Sequence, residues 1–468
     1  MDNEKPKPMG GIETRRTFIK KTATATAIAA TASFFKVPVY GQNQAPSTGK
    51  VIGANDRIVV GYIGVGGTGL AGLAHGQGLA HVKSQKEHAG ENNISQAAVC
   101  DLFTKRTEFA KNVIGPDCAT YTDYRKLLDR KDIDAVVVAT VDHWHTRCSV
   151  DAMNAGKHVY VEKPMTRYIG EAFEIYDTVK KTGKVLQVGS QGCSDAKWHK
   201  AAELIRGGKI GQLVLSQGSY MRNNPKGEWN YGIDKEANPS NVLWKQWVGS
   251  QIKHAPKEFD ADHYFRWRKY FPYCAGLLGD LFPHKLHPYM LATGNPEFPL
   301  RVSAVGSRPV HADKNTPNTY ERDVPEIVQL IAEFPSGMLM HITSSTINEQ
   351  GTQEMIRGHK ASLIMAGNRI ELKPERPFTE EIDPMTIDGI KPGESIAEHE
   401  KNWFECIRTG ATPHANIDLA VKVQTVISLA EMSERLNITC MFDGKTRKIT
   451  TGDGKAVKPL TYGSMELS

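Results

Sequence analysis

Two short runs and one spaced pair hold the residues whose types and spacing do chemistry. Gly64-Val65-Gly66-Gly67-Thr68-Gly69 follows the apolar, β-rich run Arg57-Ile58-Val59-Val60-Gly61-Tyr62-Ile63. A strand that runs through such a turn into a helix makes a cradle for a dinucleotide pyrophosphate. Gly64 permits the tight turn, Gly66 lets the backbone approach the phosphates, and Gly69 lets the helix pack on the strand. With Gly67 and Thr68 between them, the unpaired N–H groups of the helix start face the anion. The second run, Glu162-Lys163-Pro164, closes another apolar stretch and delivers a lysine to the reactive end of that cradle. Asp280 and His284 stand four apart in a stretch that reads as one helix over residues 276–290, which puts both side chains on one face. Together these residues point to redox chemistry on a bound dinucleotide.

The elements that must position them can be read from apolar periodicity. A strand at Ala97-Ala98-Val99-Cys100 ends at Asp101, whose carboxylate suits the adenosine ribose hydroxyls and favours NAD. Arg106 close by keeps NADP open as the less favoured cofactor. The spacing from the glycines exceeds the usual roughly 20 residues, so the polar residues 81–93 read as an inserted loop. Helices follow over 105–113 and 121–129, then the continuous apolar strand at 135–139, a helix over 147–155 and a strand at 158–161. A run apolar on both faces suits a parallel sheet covered by helices. In such sheets ligands sit beyond the carboxyl ends of the strands, which is where Thr140, His143, Trp144, His145, Glu162, Lys163 and Pro164 fall. Later period-two runs at 327–334, 338–345 and 362–366, with helices over 398–408 and 419–436, signal a second, sheet-based layer. The expected fold is an α/β Rossmann-type doubly wound N-terminal domain plus an α+β C-terminal domain with an open, mainly antiparallel sheet.

Length and charge set the frame. The chain has 468 residues, enough for two cores, and a net charge of +6 spread without a basic block, which argues against a nucleic-acid partner. Residues 1–41 read as a twin-arginine signal around Thr14-Arg15-Arg16-Thr17-Phe18, which exports folded proteins to the periplasm, and its apolar stretch is too short for an integral membrane anchor. Residues 42–56 then form a linker, 57–190 a Rossmann domain and 191–468 a substrate and oligomerisation domain. Seven scattered cysteines form no Cys-x-x-Cys pair, so neither a zinc knuckle nor a disulfide framework is indicated.

The chain resembles the Gfo/Idh/MocA oxidoreductases, in particular the exported branch similar to glucose–fructose oxidoreductase. The resemblance rests on Gly64 to Gly69, on Asp142-His143-Trp144-His145, on Ala155-Gly156-Lys157-His158-Val159 leading into Glu162-Lys163-Pro164, and on Gly276-Leu277-Leu278-Gly279-Asp280-Leu281-Phe282-Pro283-His284. It implies that Lys163 contacts both nicotinamide and substrate, that Pro164 fixes the peptide geometry, and that Glu162 orients the lysine or the cofactor. It also implies that Asp280 and His284 meet the substrate. Oxidation of a secondary alcohol sends a hydride to nicotinamide and a proton to a base. His284 suits that base, Asp280 would orient it, and Lys163 would stabilise developing alkoxide charge. Where relatives carry a further aspartate this chain has His287, which makes Asp280, His284 and His287 a conceivable metal set, but no metal is expected.

Around these, Tyr264, Arg266 and Trp267 mix rings and cations at a density suited to sugar faces, though rings at such spacing serve packing as well, the role given to Trp244 and Trp247. Trp144 would wall the nicotinamide pocket, and His145 would cap the next helix or reach substrate. The expected activity is reversible oxidation of a secondary hydroxyl of a sugar or glycoside, at C3 for instance, by a tightly held NAD in a homodimer or homotetramer. The alternative is an NAD-dependent glycosidase working through a transient 3-keto intermediate and elimination. A cofactor-binding, non-catalytic partner role is opposed by the joint presence of Lys163, Asp280 and His284.

Overall fold

The strand that feeds the glycine turn, β1 (Ile58–Ile63), is buried along nearly its whole length, because parallel neighbours flank it and helices cover both faces. The computed structural model describes residues 56–66, 77–311, 322–391 and 393–463. The leader over residues 1–41 and the expected cofactor residues Gly67, Thr68 and Gly69 lie outside the described residues. Strands β2 (Ile94–Cys100), β3 (Ala119–Tyr121), β4 (Ala135–Val138), β5 (His158–Glu162) and β6 (Leu186–Gly189) complete a parallel six-stranded sheet in the order β3-β2-β1-β4-β5-β6. Chain order reverses between β1 and β4, and a crevice opens beyond their carboxyl ends.

Two local expectations are corrected. Residues 81–93 are not a loop, since the helix Gln77–Glu87 occupies the first half of that stretch. Its buried face is Gly78, Leu79, His81, Val82 and Gln85. Two of those five are polar residues with buried partners, so the apolar periodicity that announces a helix is missing. The helix expected over 147–155 starts earlier and spans Asp142–Asn154, with no side-chain cap on Val141 to mark its start. The signature Asp142-His143-Trp144-His145 is therefore its first turn.

The second sheet is built on β7 (Leu213–Asn223), β8 (Arg301–Ser307), β9 (Ile327–Glu333), β10 (Leu339–Ser345), β11 (Ile347–Asn348), β12 (Met355–Gly358), β13 (Ala361–Ala366), β14 (Arg369–Pro374), β15 (Met385–Ile387), β16 (Cys440–Asp443) and β17 (Lys448–Thr451). Its order is β15-β14-β13-β12-β7-β10-β9-β8-β16-β17, with β11 beside β7, and every pairing is antiparallel except β7 with β10. One face, including Val302, Leu330, Met340 and Ile342, is buried with the helices Pro283–Ala292 and Ile417–Leu436. Its other face leaves Val305, Ile331 and Leu339 exposed. The helix Ile396–Thr409 returns to the first sheet, where Trp403 and Phe404 pack with Val60, Tyr62, Val99 and Tyr160.

The single helix expected over 276–290 is two. Leu277–Asp280 is one short helix and Pro283–Ala292 another, because Pro283 has no N–H to continue the ladder. Asp280 and His284 thus stand on different elements and do not share a face.

Candidate functional site

A cavity of about 700 Å³ lies over the ends of β1, β4 and β5, with Gly64, Gly66, Asp101, Asp142 and Lys163 in its wall. Gly64 has φ +86°, and a Cβ there would stand 2.5 Å from the Ala139 carbonyl oxygen, so only glycine brings β1 this close to the end of β4. At Gly66 a Cβ would lie 2.4 Å from the Arg106 guanidinium. Asp101 Oδ2 accepts from the Val65 N–H at 3.0 Å and Oδ1 from the Phe103 N–H at 3.0 Å, which ties the glycine turn to the end of β2. Arg106 donates through Nη1 to the Tyr264 hydroxyl at 3.1 Å, and its buried Nε has no partner. Arg106 Nε, Asp142 Oδ2, His143 Nδ1 and Thr146 Oγ1 all belong to cavity-lining residues and all lack a hydrogen bond. Buried polar atoms are rarely left unpaired, and these fit a polar ligand such as a dinucleotide.

The other end of the cavity is electrostatically dense. Lys163 Nζ donates to Asp280 Oδ1 and to the Asp280 carbonyl oxygen, each at 2.7 Å, and the Lys163–Pro164 peptide is cis. Asp280 also accepts from Arg268 Nε at 3.0 Å and from Trp229 Nε1 at 3.0 Å. Burial alone would raise the Asp280 carboxyl, but the Lys163 and Arg268 charges outweigh it and hold the group well below the usual carboxylate range. Beneath the lysine, Glu162 Oε2 accepts from the Lys163 N–H at 3.1 Å, while Oε1 meets His81 Nε2 at 2.9 Å and Gln191 Nε2 at 3.0 Å. His81 Nδ1 lies 2.7 Å from Glu400, so one imidazole joins two carboxylates in the interior. Burial would lower the His81 imidazole, yet its bonds to Glu162 and Glu400 prevail and raise it to about 9.

Several expected residues take other places. Both Asp280 oxygens are engaged elsewhere, so Asp280 does not orient His284. Instead His284 Nδ1 pairs with Glu394 Oε2 at 3.0 Å, and its ring packs on Tyr220 at 5.1 Å. His287 is buried outside the cavity wall, its Nδ1 meets Ser190 Oγ at 2.9 Å, and burial lowers it to about 3. Among the described residues no group of three His, Cys, Asp or Glu side chains is arranged for a metal ion. His145 is buried with Nδ1 2.7 Å from the Pro164 oxygen and Nε2 3.2 Å from the Thr140 oxygen. It braces the two loops that carry the signatures from outside the cavity wall. Arg266 points away from the cavity to the Tyr231 carbonyl and Asp262, so the site cation is Arg268. Tyr264 lines the cavity at the Asp101 and Arg106 end. Trp267, with Arg268 over its ring at 4.1 Å, does line the cavity.

The segment between β7 and the helix Leu277–Asp280 supplies part of the cavity wall. The Trp247 carbonyl accepts from His143 Nε2 at 2.8 Å and Trp144 Nε1 at 2.7 Å, and the Leu243 N–H donates to Leu102 at 2.9 Å. Trp244 and Trp247 stack with ring centroids 5.0 Å apart, as packing residues do, but Trp247 also walls the cavity. Thr140 lines the same wall. The site residues missed from sequence are Asp142 and Arg268, each inside or beside a quoted motif, and Glu394, Glu400 and His81, which carry no local signal. If Glu394 sets the His284 ring, Glu394→Gln should lower kcat about tenfold, a part of what general base catalysis contributes, with cofactor content unchanged. Steady-state kinetics beside a cofactor assay would check it.

Residues 60–190 match the family described as "Oxidoreductase family, NAD-binding Rossmann fold" (GFO_IDH_MocA). Glycosyl hydrolase family 109 protein 2 of Shewanella sp. (strain ANA-3) is 34% identical over 226 residues, 46% of this chain and 47% of that protein. An alpha-N-acetylgalactosaminidase of Shewanella oneidensis is 28% identical over 221 residues, 44% of this chain and 46% of that one. The chain therefore spans about half the length of the curated relatives it matches. Among solved structures, an oxidoreductase domain protein from Kribbella flavida aligns with TM-score 0.61 at 20% identity over 82% of this chain and 98% of its own. Levoglucosan dehydrogenase in complex with NADH and levoglucosan aligns with TM-score 0.59 at 18% identity over 82% and 98%. At these identities the likeness is one of fold. Residues 60–190 thus match the NAD-binding Rossmann fold of the Gfo/Idh/MocA oxidoreductase family, and the architecture over most of the chain is one shared with solved oxidoreductases.

Proposed function

We propose that this protein is an exported, NAD-dependent oxidoreductase that oxidises and reduces a secondary hydroxyl of a sugar or glycoside, with C3 the favoured carbon. The observation that carries the proposal is the Lys163 ammonium, anchored 2.7 Å from Asp280 in the wall of the cavity whose glycine turn fits a dinucleotide. A nicotinamide dinucleotide, when bound, supplies the hydride acceptor. Gly64 and Gly66 let the backbone turn closely beneath its diphosphate, and the Asp101 carboxylate at the end of β2 supports NAD over NADP. Lys163 donates to the substrate oxygen as negative charge develops there, with Asp280 holding the ammonium in place. His284, backed by Glu394, takes the hydroxyl proton. The aromatic segment around Trp247 excludes water and hinders cofactor loss, which suits a protein working away from the cytoplasmic NAD pool. The twin-arginine run at residues 14–18 supports periplasmic residence. The exposed Val305, Ile331 and Leu339 support homo-oligomer formation through the open sheet.

The glycosidase names of the curated relatives favour a second reading, in which the same oxidation is transient and acidifies the neighbouring C–H for elimination of the aglycone. One experiment separates the two. The purified protein is denatured and assayed for released NAD(H), and before denaturation glycosides are added while the near-ultraviolet band of reduced nicotinamide is followed. Accumulating ketone with a persistent band supports the oxidoreductase. Released aglycone without ketone supports the glycosidase, and absence of both band and cofactor overturns each.

A further inference from the structure

Asp142 opens the helix after β4 and stands in the cavity wall with 2% of its surface exposed. None of the roles above uses it. Its Oδ2 is buried and makes no hydrogen bond. The carboxyl tip sits where the two signatures meet: a Cβ on Gly279 would lie 3.6 Å from Oδ2 and 3.7 Å from the Pro164 ring. Asp280 shares this neighbourhood under opposite conditions, its oxygens saturated by Lys163, Arg268 and Trp229. Two carboxyl groups whose surroundings differ so sharply hold different protonation states, and such divergence marks acid–base function. Burial raises the Asp142 carboxyl to about 7 against the pull of Arg268, and the Asp280 charge adds to the rise. The other groups that face it are Lys163, Arg167 and the Cys274 thiol. Asp142 is thus an unpaired carboxyl able to exchange a proton near neutral pH, in a wall where Lys163 and Arg268 are already paired with Asp280.

We infer that Asp142 is the counter-charge of the nicotinamide ring, giving up its proton when the oxidised, cationic ring binds and regaining one when the ring is reduced. The inference rests on the NAD-dependent reading of the same site. Oxidising CH–OH to C=O breaks one C–H and one O–H bond; the hydride carries two electrons to the ring, and one proton is released. His284 takes that proton and passes it on, so that as the ring loses its positive charge the carboxylate of Asp142 gains it, a new O–H bond forms, His284 is restored, and the net charge of the cavity does not change. A site that keeps its charge constant avoids exposing an uncompensated charge to a dry interior at either end of the cycle.

Binding linkage tests it. On protein freed of cofactor, affinities for NAD+ and NADH are measured by fluorescence titration from acid to neutral pH. NAD+ affinity should strengthen by up to about tenfold per pH unit until Asp142 is ionised in the free protein, while NADH affinity stays level. In Asp142→Asn that slope should vanish and NAD+ should bind more weakly relative to NADH. For a variant that misfolds, infrared difference spectra of wild-type holoprotein serve instead, and reduction should bring in a protonated-carboxyl band. A flat wild-type ratio, a slope that survives Asp142→Asn, or no such band overturns the inference. Failure of both nucleotides to bind the wild type overturns the NAD-dependent reading and the inference with it.

Discussion

Lys163→Ala is expected to lower kcat/KM for the sugar or glycoside by about a thousandfold, the scale of losing a preorganised donor to a developing oxyanion, while NAD(H) content and fold persist. The ammonium sits 2.7 Å from Asp280 with 11% of the side chain exposed, so it is held in place before substrate arrives. Removing it leaves Asp280 bonded to Arg268 and Trp229, which keeps that buried carboxylate compensated and the fold intact. Lys163→Arg should recover little, since a planar fork does not reproduce a compact point charge. Kinetics measured beside the cofactor released on denaturation provide the check. Near-wild-type turnover in Lys163→Ala would remove the central group from the proposed chemistry.

The second large effect concerns pH and stability. His81 is fully buried between Glu162 and Glu400 and raised to about 9 from an ordinary 6.5. A cationic group raised on folding stabilises the native state fully below its unfolded pKa, and that contribution is lost as pH rises through the folded one. The difference corresponds to about 3 kcal/mol, present at pH 6 and declining through about 9. Urea midpoints should therefore fall steeply between neutral and alkaline solution. In His81→Asn the protein should start weaker, with two carboxylates left facing each other, and its further loss with alkali should be much smaller. An equal alkaline loss in wild type and variant would show that other groups, the lysines or tyrosines, dominate. Because Glu162 also accepts the Lys163 N–H, activity should fade in parallel with stability as His81 deprotonates.

Much of the site was legible because its parts are local. The turn at Gly64 and Gly66 needs only a strand before it and residues without Cβ atoms, and both are visible in the chain. Lys163 is announced by the strand it ends. Strands β1, β2, β4 and β5 were readable because a strand covered on both faces is apolar throughout, as Ala135–Val138 is, whereas β3 and β6 went unread and Tyr121, expected to open a helix, ends β3. The helix Gln77–Glu87 was hidden for the converse reason: its buried face includes His81 and Gln85, whose partners come from Glu162 and Glu400. Arg266 and Arg268 are two residues apart in sequence, yet one bonds the Tyr231 carbonyl and the other Asp280. Nothing in their types separates them, since the choice depends on how a short helix and the turn after it place each side chain.

From the amino-acid order alone came the dinucleotide cradle, the lysine at its reactive end and the two-layer architecture. These depend on backbone conformation and apolar periodicity, which act over a few residues. The tertiary structure decided the pairings: Asp280 with Lys163 in place of His284, Glu394 with His284 across 110 residues, and His81 between carboxylates 81 and 319 residues away. Ionisable groups in a dry interior must find opposite charge or hydrogen-bond partners wherever the fold brings them, and distance along the chain places no limit on that search.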